Sequence, residues 1–419
     1  MMGRLAALAF SGMLAAAAAP AAADPALFAP GTLSGFADLR LDGADGELSA
    51  GKGGYGKLDA SGAGSGVAVR PRLDLATLAW RPDLGGDLGA YVMVQTQQGQ
   101  SPAVDVGEAY LIYKPVPRSS VRFQVRTGLF WPPVSLEHDG LAWTTTRTLT
   151  PSALNSWIAQ EVKVAGVEAT LSEEAGGHRL IFTAAAFGDN DTSGTVLAWR
   201  GWSLDGRRTS LLADMPLPTF DPTRSAIFVD QGHYAHPSLE MDGRVGGYAR
   251  LEWRPPWPLA VHLFVYDNAG NPEVQKDEQW AWRTQFGEAG LLAEPARDWQ
   301  ILAQGLAGRT YFGPQTPAGR YVDLDYAAAY LLVSHDVGRL RIATRGDWFS
   351  THDRSFVLLD NNDERGWAAT ADASWRLSAH FSVWCELVHV WSDRPARAYL
   401  LAAPVQDQTK LTFALRARL

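Results

Sequence analysis

Residues 121–160 read VRFQVRTGLF WPPVSLEHDG LAWTTTRTLT PSALNSWIAQ, and their pattern decides the fold. The first residues alternate, with Val121, Phe123 and Val125 on one face and Arg122, Gln124 and Arg126 on the other. Alternation with period two marks a strand with one apolar and one polar side. The chain then passes through Gly128 and Trp131-Pro132-Pro133 into an insert, 130–160, that holds Glu137, His138, Asp139 and Arg147. Thr150 as an N-cap ahead of Pro151 predicts a short helix over 151–158. A new strand pattern starts at Glu161. In a membrane barrel, such a strand would line the pore and feed a loop able to fold inward.

The same alternation recurs outward from this stretch. It covers 33–41, 72–80, 88–97, 104–114, 161–171, 178–188, 244–254 and 259–267. It continues at 278–288, 298–307, 321–334, 339–349, 364–377, 381–391 and 409–419. With 121–129 this gives about sixteen segments, mostly ~9–12 residues long, the length of tilted membrane strands. Strands of a soluble sandwich are shorter, typically ~5–6 residues. Two segments depart from alternation. In 104–114, Glu108 and Tyr110 share a side, and 161–171 slips phase at Ala165-Gly166, where a bulge is expected. Eighteen strands would result if 195–204 paired with a partner inside 189–243.

Connections sharpen the reading. One end carries only short turns: 82–86, 115–119, 172–177, 255–256, 289–296, 335–338 and 378–380. The other carries mostly long, polar loops: 42–66, 98–103, 130–160, 189–243, 268–277, 308–320, 350–363 and 392–408. Short periplasmic turns opposite long outer loops are the habit of outer-membrane barrels. The expected fold is all-β, a transmembrane antiparallel β-barrel with an even strand number and both termini in the periplasm. Trp80, Trp253, Trp257, Trp299 and Trp375 fall near the short-turn end, and Trp280, Trp348, Trp367 and Trp391 near the other. These are positions for two interfacial girdles.

Composition agrees. The chain has 41 Gly and 16 Trp, and a membrane barrel has a physical use for so many tryptophans. Arg4, the apolar run 5–19 and Ala21-Ala22-Ala23 read as an export signal, 1–23, ahead of a single barrel domain, 24–419. Beyond it no run of ~18 apolar residues offers a spanning helix. Cys385 is the one cysteine, which excludes a disulfide framework. The net charge of −8 is spread along the chain, and no basic stripe suggests nucleic acid. No cofactor motif appears.

Gly128-Leu-Phe-Trp-Pro-Pro-Val-Ser-Leu-Glu137, followed by Pro151-Ser-Ala-Leu-Asn-Ser-Trp157, resembles the phosphate-selective porin family of outer-membrane channels, the O and P type. The resemblance implies a sixteen-stranded barrel, a loop folded into the lumen, and a homotrimer. The last strand also resembles an assembly signal, although it ends in Leu419 where Phe is usual. The insert departs from the family in lacking a lysine cluster, with Arg147 its only Lys or Arg. A phosphate-like preference therefore rests on the resemblance alone.

If apolar faces meet lipid, Arg122, Arg126, Arg250, Arg283, Arg339, Arg341 and Arg345 line the pore, joined by Arg416 and Arg418. Guanidinium groups lining a lumen attract anions. Asp38, Asp74, Glu252, Asp323, Asp325, Asp347, Asp372 and Glu386 read as inward too, which leaves a mixed, mutually paired wall as the alternative. Glu137, His138, Asp139 and Arg147 are expected to face the wall arginines across a constriction. His233 and His236 near Asp230, and Asp189-Asn190-Asp191, have partial metal-site spacing but read as loop polarity. No nucleophile–base motif or metalloprotease signature occurs. The expected function is a passive outer-membrane porin for small hydrophilic solutes, with a possible anion bias, embedded in outer-membrane lipid. The alternatives are a barrel enzyme and an exported soluble β protein that binds carbohydrate. The latter should show blade repeats of ~40 residues, and none is seen.

Overall fold

A computed structural model describes residues 27–29, 31–62, 66–219, 231–356 and 361–419. The leader 1–23 and Asp230 lie outside the described residues. Sixteen strands of nine residues or more follow one another. They begin with β1 Leu33–Ala44, β2 Ala68–Trp80, β3 Leu88–Gln97, β4 Asp105–Tyr113, β5 Val121–Phe130 and β6 Val164–Ala175. Next come β7 His178–Gly188, β8 Gly246–Arg254, β9 Leu259–Asp267, β10 Arg283–Ala293 and β11 Trp299–Phe312. The last are β12 Val322–Val337, β13 Leu340–Asp353, β14 Glu364–Arg376, β15 Phe381–Asp393 and β16 Val405–Arg418. Each pairs antiparallel with its sequence neighbours. β16 returns to β1, from Phe36 opposite Arg418 to Ala44 opposite Lys410. Closure leaves no sheet edge unpaired, which a bilayer requires.

The exterior is apolar at every second residue. Leu39, Leu41, Leu73, Leu78, Leu171, Phe182, Leu251, Leu263, Val265, Ile342, Leu411 and Phe413 are all exposed. Trp348, Trp367 and Trp391 sit side by side across β13, β14 and β15 at the long-loop end. Trp253, Trp257, Trp299 and Trp375 are exposed towards the short turns. Trp280 leaves the expected girdle. It belongs to a small hairpin, paired with Gln275, and packs on Phe312 at 4.9 Å, beside buried Trp282.

Three local expectations need correction. The phase slip at Ala165-Gly166 is no bulge, because β6 pairs in unbroken register with both β5 and β7. The disturbance arises upstream, where a helix rather than a strand occupies Glu161. The bulge lies instead in β4 at Gly107, as the register jumps from Met93–Glu108 to Val94–Val106. That extra residue lets Asp105 and Glu108, three apart, both face the lumen, and Tyr110 follows Glu108 at the ordinary period of two. Finally, 195–204 forms no strand. Thr195–Arg200 is a short helix, so the barrel has sixteen strands and not eighteen.

What fills the barrel is its main architectural feature. The first insert leaves β5 at Phe130 and includes helix α1, Ala153–Glu161, every residue of which is buried. Its N-cap is Ser152 and not Thr150, with the hydroxyl accepting from the Asn155 amide at 3.2 Å. The second insert, 189–245, carries helix α2, Thr195–Arg200, also wholly buried. The two helices pack with the barrel's inward aromatics into one cluster. Trp157 of α1 makes edge contacts with Trp202, Phe286 and Tyr326. Such pairs add to the area term that holds an insert inside a barrel.

Candidate functional site

The first insert crosses the lumen because the far wall offers it fixed partners. Arg345 on β13 is fully buried and donates to the carbonyls of Thr150 at 2.7 Å and Pro151 at 3.0 Å. The same guanidinium pairs with Asp347 at 2.8 Å and reaches Glu137 at 3.5 Å. Glu386 on β15 accepts from the Leu149 and Thr150 amides at 2.7 and 3.0 Å. Gln304 on β11 donates to the Val134 carbonyl at 2.8 Å. Leaving such donors or a charge unpaired in a dry interior would be costly, so these contacts are specific anchors.

The sequence-derived site residues distribute accordingly. Glu137 does not face the wall across water. It accepts from the Ser152 amide and the Asn155 side-chain amide at 2.7 and 2.9 Å and stabilises the start of α1. Burial raises its carboxyl above the ordinary value, and Arg345 opposes the shift. His138 stacks on Trp143 at 4.0 Å, and Trp143 stacks on Trp131 at 5.3 Å. Burial holds the imidazole well below its usual pKa, so it is neutral. Asp139 and Arg147 pair at 2.7 Å, and Arg147 also donates to Gln300.

Of the wall arginines, Arg126, Arg250, Arg341 and Arg345 point inward and carry acid partners. Arg126 meets Glu168 at 2.7 Å, Arg250 meets Glu252 at 2.5 Å, and Arg341 meets Asp336 at 2.5 Å. Arg122 shares the inward side of β5 but is exposed at the short-turn mouth, 4.0 Å from Glu174. Arg416 pairs with Asp38 at 2.7 Å, and Arg418 donates to Ser382 at 3.2 Å. Two expectations fail. Arg339 is exposed in the turn ahead of β13. Arg283 lies on the face of β10 opposite the inward Thr284, Phe286 and Glu288, and pairs with Asp267 at the rim. Asp323 and Asp325 leave the lumen for the same reason. Leu324, Tyr326, Ala328 and Tyr330 are the inward, buried side of β12. Where inserts fill the barrel, the lumen face is apolar too, and polarity no longer marks the inside.

Cavities flank the inserts. One of about 610 Å³ reaches in from Ser34 and Arg81 near the short turns, past Tyr91, Tyr110 and Arg126, to Trp131, His138 and Trp143. A much smaller one, about 80 Å³, lies towards the long-loop end among Lys52, Asp59, Arg72, Asp74, Gly99 and Arg207. Buried Arg40 and Asp74, paired at 2.8 Å, stand on the wall between them. The expected outer loop 189–243 thus contributes to the interior, which sequence reasoning missed. The signal was the apolar run Val196-Leu197-Ala198-Trp199 with Trp202 and Leu204, out of place in a solvated loop.

Elsewhere, His236 meets Asp214 at 2.9 Å, and no metal group forms around it among the described residues. Asp191, Glu240 and Asp242 converge instead, held by backbone amides such as that of Met241.

No protein-family model and no curated protein matches the sequence. Solved structures do match in shape. The outer membrane channel DcaP of Acinetobacter baumannii aligns with a TM-score of 0.55 at 10% identity, covering 92% of this chain and 96% of that one. A loop-deletion mutant of OmpT, an outer membrane protein of Vibrio cholerae, gives 0.53 at 8% identity over 92% and 98%. An anion-selective porin from Comamonas acidovorans gives 0.51 at 14% identity over 93% and 99%. The fold is that of the outer-membrane β-barrels. At these identities the likeness speaks for architecture alone.

Proposed function

We propose that this protein is an outer-membrane porin, a passive diffusion channel for small hydrophilic solutes. The observation that carries the reading is a closed barrel, apolar outside, whose lumen is narrowed from the side by an anchored insert while a cavity of about 610 Å³ stays open to one mouth. Size exclusion at the inserts and charge along the path would do the sorting, with no bond chemistry. The paired wall arginines favour the mixed wall over a continuous arginine track. A general anion preference is the finer reading, and its support is Arg207 and Arg208 of the second insert, which bond to backbone carbonyls and hold no carboxylate within ion-pair distance among the described residues. Phosphate selectivity of the O and P type and the homotrimer rest only on the resemblance over Gly128–Glu137 and Pro151–Trp157. The leader 1–23 supports export to the outer membrane.

The test is a planar-bilayer recording of the detergent-purified protein under a KCl gradient. Stepwise conductance is expected, with a reversal potential on the chloride side. A folded barrel that inserts and gives no steps would overturn the porin reading.

A further inference from the structure

The residues that leave the lumen gather on the outer surface at the long-loop end. Two rungs of side chains run there across β10, β11 and β12. Arg283, Tyr311 and Asp323 form one, and Gln285, Arg309 and Asp325 form the next. Arg283 donates to Asp267 at 2.7 Å, Arg309 Nε to Asp323 at 2.7 Å, and Arg354 to Asp325 at 2.9 Å. Arg320, in the loop ahead of β12, stands over the Tyr311 ring at 4.5 Å from its centroid, and Arg309 at 5.2 Å. Arg320 donates to the Gly313 carbonyl at 2.8 Å and holds no carboxylate within ion-pair distance among the described residues. Four guanidinium groups thus meet three carboxylates, and one positive charge is left over. Nη1 of Arg283, Nη1 of Arg309 and Nη2 of Arg320 have no partner among the described residues, so each can still donate.

Their height on the barrel fixes what they can meet. Below Arg309 the outward residues of β11 are Ala307, Gly305, Ala303 and Ile301, down to Trp299 at the short-turn end. From Trp299 to Arg309 the strand runs roughly 33 Å. A tilt of ~40° turns that into ~25 Å, the height of a barrel's apolar band. Arg309 and Tyr311 therefore stand at the outer boundary of the bilayer, level with lipid headgroups. The placement is also one-sided. At the same end Val69, Thr96, Val106, Ala165, Ala186 and Gly247 take outward positions on β2, β3, β4, β6, β7 and β8. Charge is not a general requirement of the rim, because those strands do without it.

We propose that Arg283, Arg309 and Arg320, gathered at Tyr311, bind the phosphate of a phosphorylated glycolipid headgroup in the outer leaflet. Guanidinium N–H groups match phosphate oxygens in charge and geometry, and basic clusters beside a bilayer recognise anionic headgroups. The carboxylates select within that class. The Asp325 side chain is 42% exposed and gives only one oxygen to Arg354. Its other oxygen accepts a sugar hydroxyl, which a glycolipid carries beside its phosphate. The site lies outside the lumen and is independent of conduction.

The probe is lipid A, a bis-phosphorylated diglucosamine lipid, added to the delipidated full chain in detergent and read by native mass spectrometry. Its dephosphorylated form and phosphatidylglycerol are the comparison lipids. The wild type should take up lipid A saturably and in preference to both. Arg320→Gln leaves no carboxylate unpaired and should weaken binding about tenfold, the loss of one charge-assisted hydrogen bond. Arg283→Gln, on the neighbouring strand, should weaken it as well. Arg122→Gln, at the opposite mouth, should leave it unchanged. Each variant is first shown to be folded by heat-modifiable migration. Uptake of the dephosphorylated lipid equal to that of lipid A would overturn the proposal. So would folded Arg320→Gln and Arg283→Gln variants that both bind as the wild type does. Phosphatidylglycerol bound as tightly as lipid A would overturn the assignment to a glycolipid.

Discussion

The two inserts enter the same lumen by different means. The first is held by charged wall side chains, Arg345 and Glu386 above all. The second is held by wall strands and by the first insert together: Glu364 on β14 accepts from the Trp202 amide at 3.0 Å, and Asp105 on β4 from the Leu212 amide at 2.6 Å. Asp205 accepts from Gln160 at 2.6 Å, Ser156 donates to the Asp205 carbonyl at 3.1 Å, and Trp202 Nε1 donates to the Ser350 carbonyl at 3.0 Å. Lys57 from the first long loop donates to the Trp202 carbonyl at 2.7 Å. The first insert therefore depends on the barrel, and the second on the barrel and the first insert together. The difference implies an order of assembly and an asymmetry in what mutations should do.

The largest effect is expected at Arg345. Arg345→Ala leaves Glu137 and Asp347 buried without their cation, and breaking a buried pair in this way costs about 3–5 kcal/mol. Detergent-solubilised protein should unfold at lower temperature, and both inserts should become protease-sensitive together. If only the first becomes sensitive, the dependence of the second upon it is wrong.

A smaller effect is expected from Asp205→Ala, which leaves the buried Gln160 donor unsatisfied at about 1–3 kcal/mol. Here only residues of the second insert should become cleavable, while the protection of α1 persists. Loss of protection across 150–161 would erase the asymmetry.

A pH response should also reach the second insert. Burial, with Glu240 adding to it, pushes Asp189 up to about 6, and burial foremost raises Asp191 to about 7. Unfolded carboxyls titrate near ~4. The folded segment therefore holds protons that the unfolded one releases. Its contribution is full below about pH 4 and is lost as pH rises through the folded values. Proteolysis of the second insert should quicken between about pH 5 and about pH 8, and Asp191→Asn should flatten the profile. Glu161, the last residue of α1, is pushed up to about 7 by burial, so proteolysis of the first insert should quicken over the same range.

The smallest effect is expected from Arg122→Ala. Its charge is exposed beside an equally exposed Glu174, and such pairs contribute at most about 1 kcal/mol. Melting temperature and conductance should stay near wild type.

Sixteen strands were legible because a barrel wall repeats one physical condition, lipid on one side, at every second residue. Gly128 shows how local the constraints can be. Its φ is 139°, and a Cβ there would lie 2.2 Å from the Ala109 carbonyl oxygen, so the wall strand can bend into the insert only with glycine. Helix α1 was legible within a turn. The site was less so. Arg345 reads as inward from Leu340 and Ile342, but its partners Glu137 and Thr150 lie about 200 residues away in sequence, and no local pattern pairs them. Arg283, Asp323 and Asp325 were misplaced because the rule that polar means inward assumes a wet lumen. Around β10 and β12 the lumen is packed with Trp157, Phe286 and Tyr326. The second insert broke the same assumption, since its apolar residues are buried inside a barrel that sequence reasoning expected to be open.

The central claim is that the second insert narrows a conducting lumen. Phe187 and Gly246 are paired neighbours on β7 and β8, so a short turn can join these strands once the insert is removed. Single-channel conductance of wild type and of this shortened chain, in the same bilayer and salt, tests the claim most directly. Discrete steps in the wild type and clearly larger steps in the shortened chain are predicted. Equal conductance from two folded barrels would contradict it.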